Sequence, residues 1–103
     1  MVGNKLVAAL RPVHPGEMLR EDILPALGKP KAEIARLLGV SRQTLYDILN
    51  EKQPITAHMA LRIGKLLGDG GDIWLRMQAA YDMKMAEREL KDQIKKIPTL
   101  HAA

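Results

Sequence analysis

Four side chains in residues 42–50 carry paired hydrogen-bonding groups: Arg42, Gln43, Thr44 and Asn50. A guanidinium donates two bonds side by side. A carboxamide donates one and accepts one. These patterns match the major-groove edges of guanine and adenine, respectively. At 100° per residue, Gln43, Asp47 and Asn50 fall opposite the apolar Leu45, Ile48 and Leu49. Gln43 is therefore the first candidate for a base contact, and Asn50 extends the same face. Arg42 reads a guanine or grips a phosphate. Thr44 bonds a phosphate or touches a thymine methyl.

Phosphate-holding groups surround this set. Ser41 and the free amides of the following helix can hold an anion. Lys29, Lys31 and Lys52 flank the same region, and Tyr46 is either a phosphate donor or a packing residue. Asp47 either accepts from a cytosine amino group or has no part in recognition, as a solvated residue or as a partner of Arg42 or Lys52. The second reading is favoured, because phosphates repel an outward carboxylate.

Other chemistry is poorly provided for. His14, His58 and His101 are isolated, and the chain has no cysteine, so no metal-ligand spacing is present. No nucleophile elbow and no strand followed by a glycine-rich phosphate loop is seen. The GDGGD run at 68–72 lacks the length and closing glutamate of a calcium loop. No catalytic residue, metal or cofactor is expected. His14 precedes Pro15 and reads as a capping or packing residue.

Five helices would position these side chains, in an all-α chain. The first starts at Pro15, carries Met18, Leu19, Ile23 and Leu24 inward, falters at Pro25 and stops by Gly28. The second runs from about Pro30 to Leu38, burying Ile34, Leu37 and Leu38. Ser41 caps the third, which reaches about Asn50, and Thr56 caps a fourth from about Ala57 to Leu67. The fourth buries Met59, Ala60, Ile63, Leu66 and Leu67. The fifth is expected from Asp72 to Ile97, about 39 Å long at the standard rise. Ala35 permits a close helix crossing, Gly39 a sharp turn, and Val40 a plug for the corner. With Leu45 and Ile48, that spacing predicts a helix-turn-helix.

Size and charge agree without being decisive. A chain of 103 residues suggests one domain with a real core. Net charge is +4, with +2 in residues 1–50 and +2 in 51–103, so any basic patch must be made by folding. No apolar run is long enough to cross a membrane, and the N-terminal patch is too short for a signal-peptide core. A cytoplasmic protein is expected.

Four stretches together resemble the HigA-type antidote proteins of addiction modules, within the wider repressor-like helix-turn-helix group. They are HPGEMLREDILPALG at 14–28, AEIARLLGVSRQTLYDILN at 32–50, ITAHMALRIGKLLG at 55–68 and WLRMQAAYD at 74–82. They occur in family order and cover about residues 13–83. HPGE and the W-L-x-x-Q-x-x-Y-D run are the specific parts. The resemblance implies a homodimer on double-stranded operator DNA that represses its own operon. It also implies a cognate RelE-like toxin, an mRNA-cleaving ribonuclease that this protein neutralises. Two departures stand out. The family's Gly-Lys-Arg after Asn50 is Glu51-Lys52-Gln53 here, which puts phosphate grip at that loop in doubt. Its Ser-Pro start to the last helix is replaced by Asp69-Gly70-Gly71-Asp72, with Asp69 or Asp72 as the cap.

The implied organisation is an arm at 1–13, a helix-turn-helix unit at 14–82 and a helical extension and tail at 83–103. Trp74, Met77, Tyr81, Leu90 and Ile94 are candidates for a dimer or toxin interface, because Met83, Ala86, Leu90, Ile94 and Ile97 form a stripe too long for one small domain. Trp74 alone at helical spacing also fits a core. Two other functions fit the residues: a regulator without a toxin, and an interaction module that has lost its DNA.

Overall fold

The computed structural model describes residues 12–102, and every regular element among them is helical. The expected arm at 1–13 lies almost wholly outside the described residues. Helix α1 passes through three stretches: Pro15–Met18, a π-helical turn Leu19–Ile23, and Leu24–Leu27. Pro25 explains the turn. Its missing N–H and its ring forbid the ordinary bond to the residue four back. Leu24 instead donates five residues back to Leu19. The helix thus survives the proline and ends at Gly28.

Then follow α2, Lys31–Leu38; α3, Arg42–Leu49; α4, Ala57–Leu67; α5, Asp72–Glu89; and α6, Lys91–Lys95. Gly39 closes α2 at φ 74°, a left-handed conformation that costs an L side chain about 1–2 kcal/mol. Val40 donates to the Ala35 carbonyl at 3.0 Å and packs against the core. Ala35 is itself buried. The turn joining α2 and α3 is thus built as its spacing predicts.

The core gathers Leu19 and Leu24 of α1, Ile34 and Leu38 of α2, Leu45, Ile48 and Leu49 of α3, Ile55, and Met59 and Ile63 of α4. Gly16 brings α1 onto α3 so closely that a Cβ there would lie 2.0 Å from the Ile48 carbonyl oxygen. Three leucine and methionine positions expected inside are not. Met18, Leu37 and Leu66 sit at the edges of their helix stripes and remain exposed, and Leu37 and Leu66 line a surface groove with Leu61.

The last helix also differs from expectation. It breaks at Leu90, where φ is −102° and ψ is 10°, so the described residues form six helices where five were expected. No residue from 79 to 102 is buried. Helices of this length owe most of their stability to packing, and beyond residue 86 every described side chain is exposed, so local bonds hold that end.

Candidate nucleic-acid interface

Ser41 starts α3 by accepting the Thr44 N–H through its Oγ at 3.0 Å and donating to Thr44 Oγ1 at 2.9 Å. The inward face of the helix, Leu45, Ile48 and Leu49, is no more than 2% exposed. Arg42, Gln43, Tyr46 and Asn50 are therefore held outward, with Thr44 and Asp47 half-buried beside them. Asn50 stands seven residues from Gln43, about 10 Å along the axis.

Gln43 donates through Nε2 to Asp47 Oδ1 at 2.7 Å, and Gln53 Nε2 approaches Asp47 Oδ2 at 3.5 Å. Asp47 therefore faces two amides, and neither Arg42 nor Lys52, the ion-pair partners the sequence offered among other readings, is its partner. Tyr46 is exposed, and the Lys31 ammonium lies 5.8 Å from its ring centroid. Lys29 is 3.8 Å from Glu33, a loose exposed pair worth little. Lys52, after α3, is exposed. Arg42, Gln43, Tyr46 and Asn50 thus share the outer side of α3, and Lys31 joins them through Tyr46.

The loop after α3 keeps its shape despite lacking a glycine. Glu51 adopts φ 63°. Behind it, Lys52 and Gln53 donate to the Asp47 carbonyl at 2.8 and 3.3 Å, closing the helix end. Arg20 explains how a glutamate is held there. Its guanidinium donates to the Leu49 carbonyl and pairs with Glu51 at 3.4 Å.

The helix-turn-helix family model matches residues 19–69. Virulence-associated protein I of Dichelobacter nodosus is 43% identical over 77 residues, covering 75% of this chain and 71% of that protein. The solved Pseudomonas aeruginosa antitoxin HigA with the higBA promoter superposes with a TM-score of 0.82 at 36% identity, covering 88% of this chain and 100% of that one. Antitoxin GraA in complex with its operator gives 0.82 at 38%, covering 91% and 95%. The chain belongs to the HigA-type antidote family. That family consists of helix-turn-helix antitoxins and regulators, not enzymes.

The two stretches most specific to the antidote resemblance meet in space. His14 caps α1 by accepting the Gly16 N–H through Nδ1 at 2.9 Å, and its ring meets Tyr81 edge-on at 5.1 Å. Burial holds the His14 pKa below its usual value, against the pull of Glu51, Gln53 and Asp82. Gln78 is 4% exposed; its Oε1 accepts the Ile55 N–H at 2.8 Å, and its Nε2 donates to Asp82 at 2.9 Å. This polar seam ties the loop after α3 to α5.

Neither Asp69 nor Asp72 caps α5, as was expected of one of them: Gly71 takes the N-cap position with no side-chain cap bond, and Asp69 instead braces the turn before it. Its two oxygens accept from the Gly71 N–H at 3.1 Å and the Trp74 indole at 2.7 Å. Trp74 is accordingly 3% exposed and part of the core, which removes it from the expected partner-facing set. Met77 and Tyr81 are half-buried, whereas Leu90 and Ile94 are exposed. Sequence reasoning gave no role to Arg20 or Gln78. Both lie inside the stretches that carry the family resemblance, and that was the available signal. Among the described residues, no cluster of side chains could hold a metal and no helix is long and apolar enough to cross a membrane.

Proposed function

We propose that this protein is the antitoxin and autorepressor of an addiction module, binding an inverted-repeat operator as a homodimer. Residues 14–82 form the DNA-reading unit, and 83–103 extend towards a partner. Gln43 reads an adenine edge, with Arg42, Thr44 and Asn50 beside it on the groove. Lys29, Lys31, Ser41, Tyr46 and Lys52 hold the backbone. The observation that carries this reading is the outward polar face of α3, fixed by a fully buried inner face. The relatives solved with a promoter and an operator support it. In a two-fold dimer, the two copies of α3 would enter successive major grooves about 34 Å apart.

Leu90 and Ile94, with Met77 and Tyr81 above them, form the surface for the dimer mate or for a RelE-like toxin. The protein would neutralise that ribonuclease in the cytoplasm, where it also meets its DNA. Gel shifts on the DNA upstream of its own gene test the first half of the proposal. The expected result is a salt-sensitive complex on an inverted repeat. Co-expression with the product of a small, basic, ribonuclease-like neighbouring reading frame tests the second. Relief of growth arrest supports the antitoxin role; arrest that persists despite soluble expression of both chains contradicts it.

A further inference from the structure

We infer that Asp47 determines specificity by fixing the orientation of the Gln43 carboxamide on the DNA-facing side of α3. The inference rests on Gln43 being the base-reading residue. An ionised carboxylate only accepts hydrogen bonds, whereas a carboxamide carries a donor at one corner and an acceptor at the other. Asp47 Oδ1 lies 2.7 Å from Gln43 Nε2, so the donor corner faces Asp47. Turning the amide over would set Oε1 against a negative oxygen.

The four-residue spacing puts Gln43 and Asp47 on one face of the helix. Asp47 is itself held from behind. Its carbonyl accepts from Lys52 and Gln53, and its other oxygen faces the Gln53 amide at 3.5 Å. Asp47 is half-buried, which limits its freedom further. Gln43 thus keeps one N–H and its Oε1 for a base, in a fixed order. One donor beside one acceptor is the complement of adenine N7 and N6.

A carboxamide free to turn over presents that pair in either order and tolerates more than one base pair. The outward carboxylate, unfavourable towards phosphate, acquires a purpose: it lowers affinity for every duplex while narrowing which duplex is accepted. A carboxylate that only repelled phosphate would weaken binding to all duplexes by one factor and leave their ratios unchanged.

The test selects sites from a random duplex library with the full chain, then measures affinities for the four bases at the position read by Gln43. The wild type should discriminate by about fivefold to 150-fold. Asp47→Ala should bind all duplexes as well or better, with that ratio reduced by about threefold or more. Asp47→Asn keeps the shape, but its amide can also donate, so its ratio should fall too. Gln43→Ala runs in parallel. If Gln43→Ala erases the preference while both Asp47 variants retain the wild-type ratio, the role of Asp47 is overturned and the reading of Gln43 stands. If Gln43→Ala leaves the preference intact, both are overturned.

Discussion

Replacing Gln78 by leucine probes the seam that sets the loop after α3 against α5. Gln78 Oε1 is the acceptor for the Ile55 N–H, and Ile55 is 1% exposed. Leucine would leave that donor buried and unpaired, at a cost of about 1–3 kcal/mol. Loss of the bond to Asp82 adds up to about 1 kcal/mol, since that end is partly exposed. The more apolar side chain returns a similar amount. The net loss is about 1–3 kcal/mol, which for a chain of this size lowers Tm by roughly 5–20 °C. Thermal and urea unfolding followed by circular dichroism would measure it, and amide exchange at Ile55 should speed up. Gln78→Glu makes the contrast. It keeps the acceptor for Ile55 but sets a second carboxylate against Asp82, so its loss should shrink as acid supplies a shared proton. A leucine variant as stable as the wild type would refute the seam as a structural tie.

Three further outcomes follow from the same geometry. The capping Nδ1 of His14 must stay unprotonated, and burial lowers its folded pKa below the unfolded value of about 6.5. Stability should therefore be full above that pH and fall as pH drops through the lowered folded value. His14→Asn keeps a capping oxygen without a titrating ring, so urea titrations should show this acid-side loss flattened. On the proposed reading, Lys29, Lys31 and Lys52 from two protomers would neutralise about six phosphates, giving a slope of about −5 for log affinity against log salt. Removing one of these lysines should make the slope shallower by about 2, because the dimer loses two charges. Finally, Leu90→Asp with Ile94→Asp should shift sedimentation towards monomer, or abolish toxin capture, while leaving the melting temperature within a few degrees, since both side chains are exposed.

The helices were legible wherever a local signal had one meaning. Ser41 and Thr56 cap as their types require, and Ala35, Gly39 and Val40 build the turn their spacing announces. Burial at helix edges was less legible, because Met18, Leu37 and Leu66 differ from core leucines only in what the neighbouring helix leaves uncovered. The break at Leu90 has no glycine or proline to mark it. It falls where every described residue from 87 onward is exposed, and that exposure is a tertiary fact. Asp47 shows the same limit in the site itself. Its outward direction follows from helical spacing, but its partners do not. The bond from Gln43, four residues away, competes with Arg42 and Lys52, each five residues away, and the Gln53 amide reaches Asp47 from beyond the left-handed turn at Glu51. Arg20 lies 29 residues from the Leu49 carbonyl it holds, beyond any local pattern.

The central claim is that the outer face of α3 meets DNA. Amide chemical-shift mapping of the labelled protein, titrated with a duplex of its own upstream inverted repeat, tests it most directly. The largest changes should cluster at residues 41–46 and at 29–31, with the Gln43 side-chain amide among them. Complex formation with the shifts confined to α5 and α6, and α3 unmoved, would contradict it.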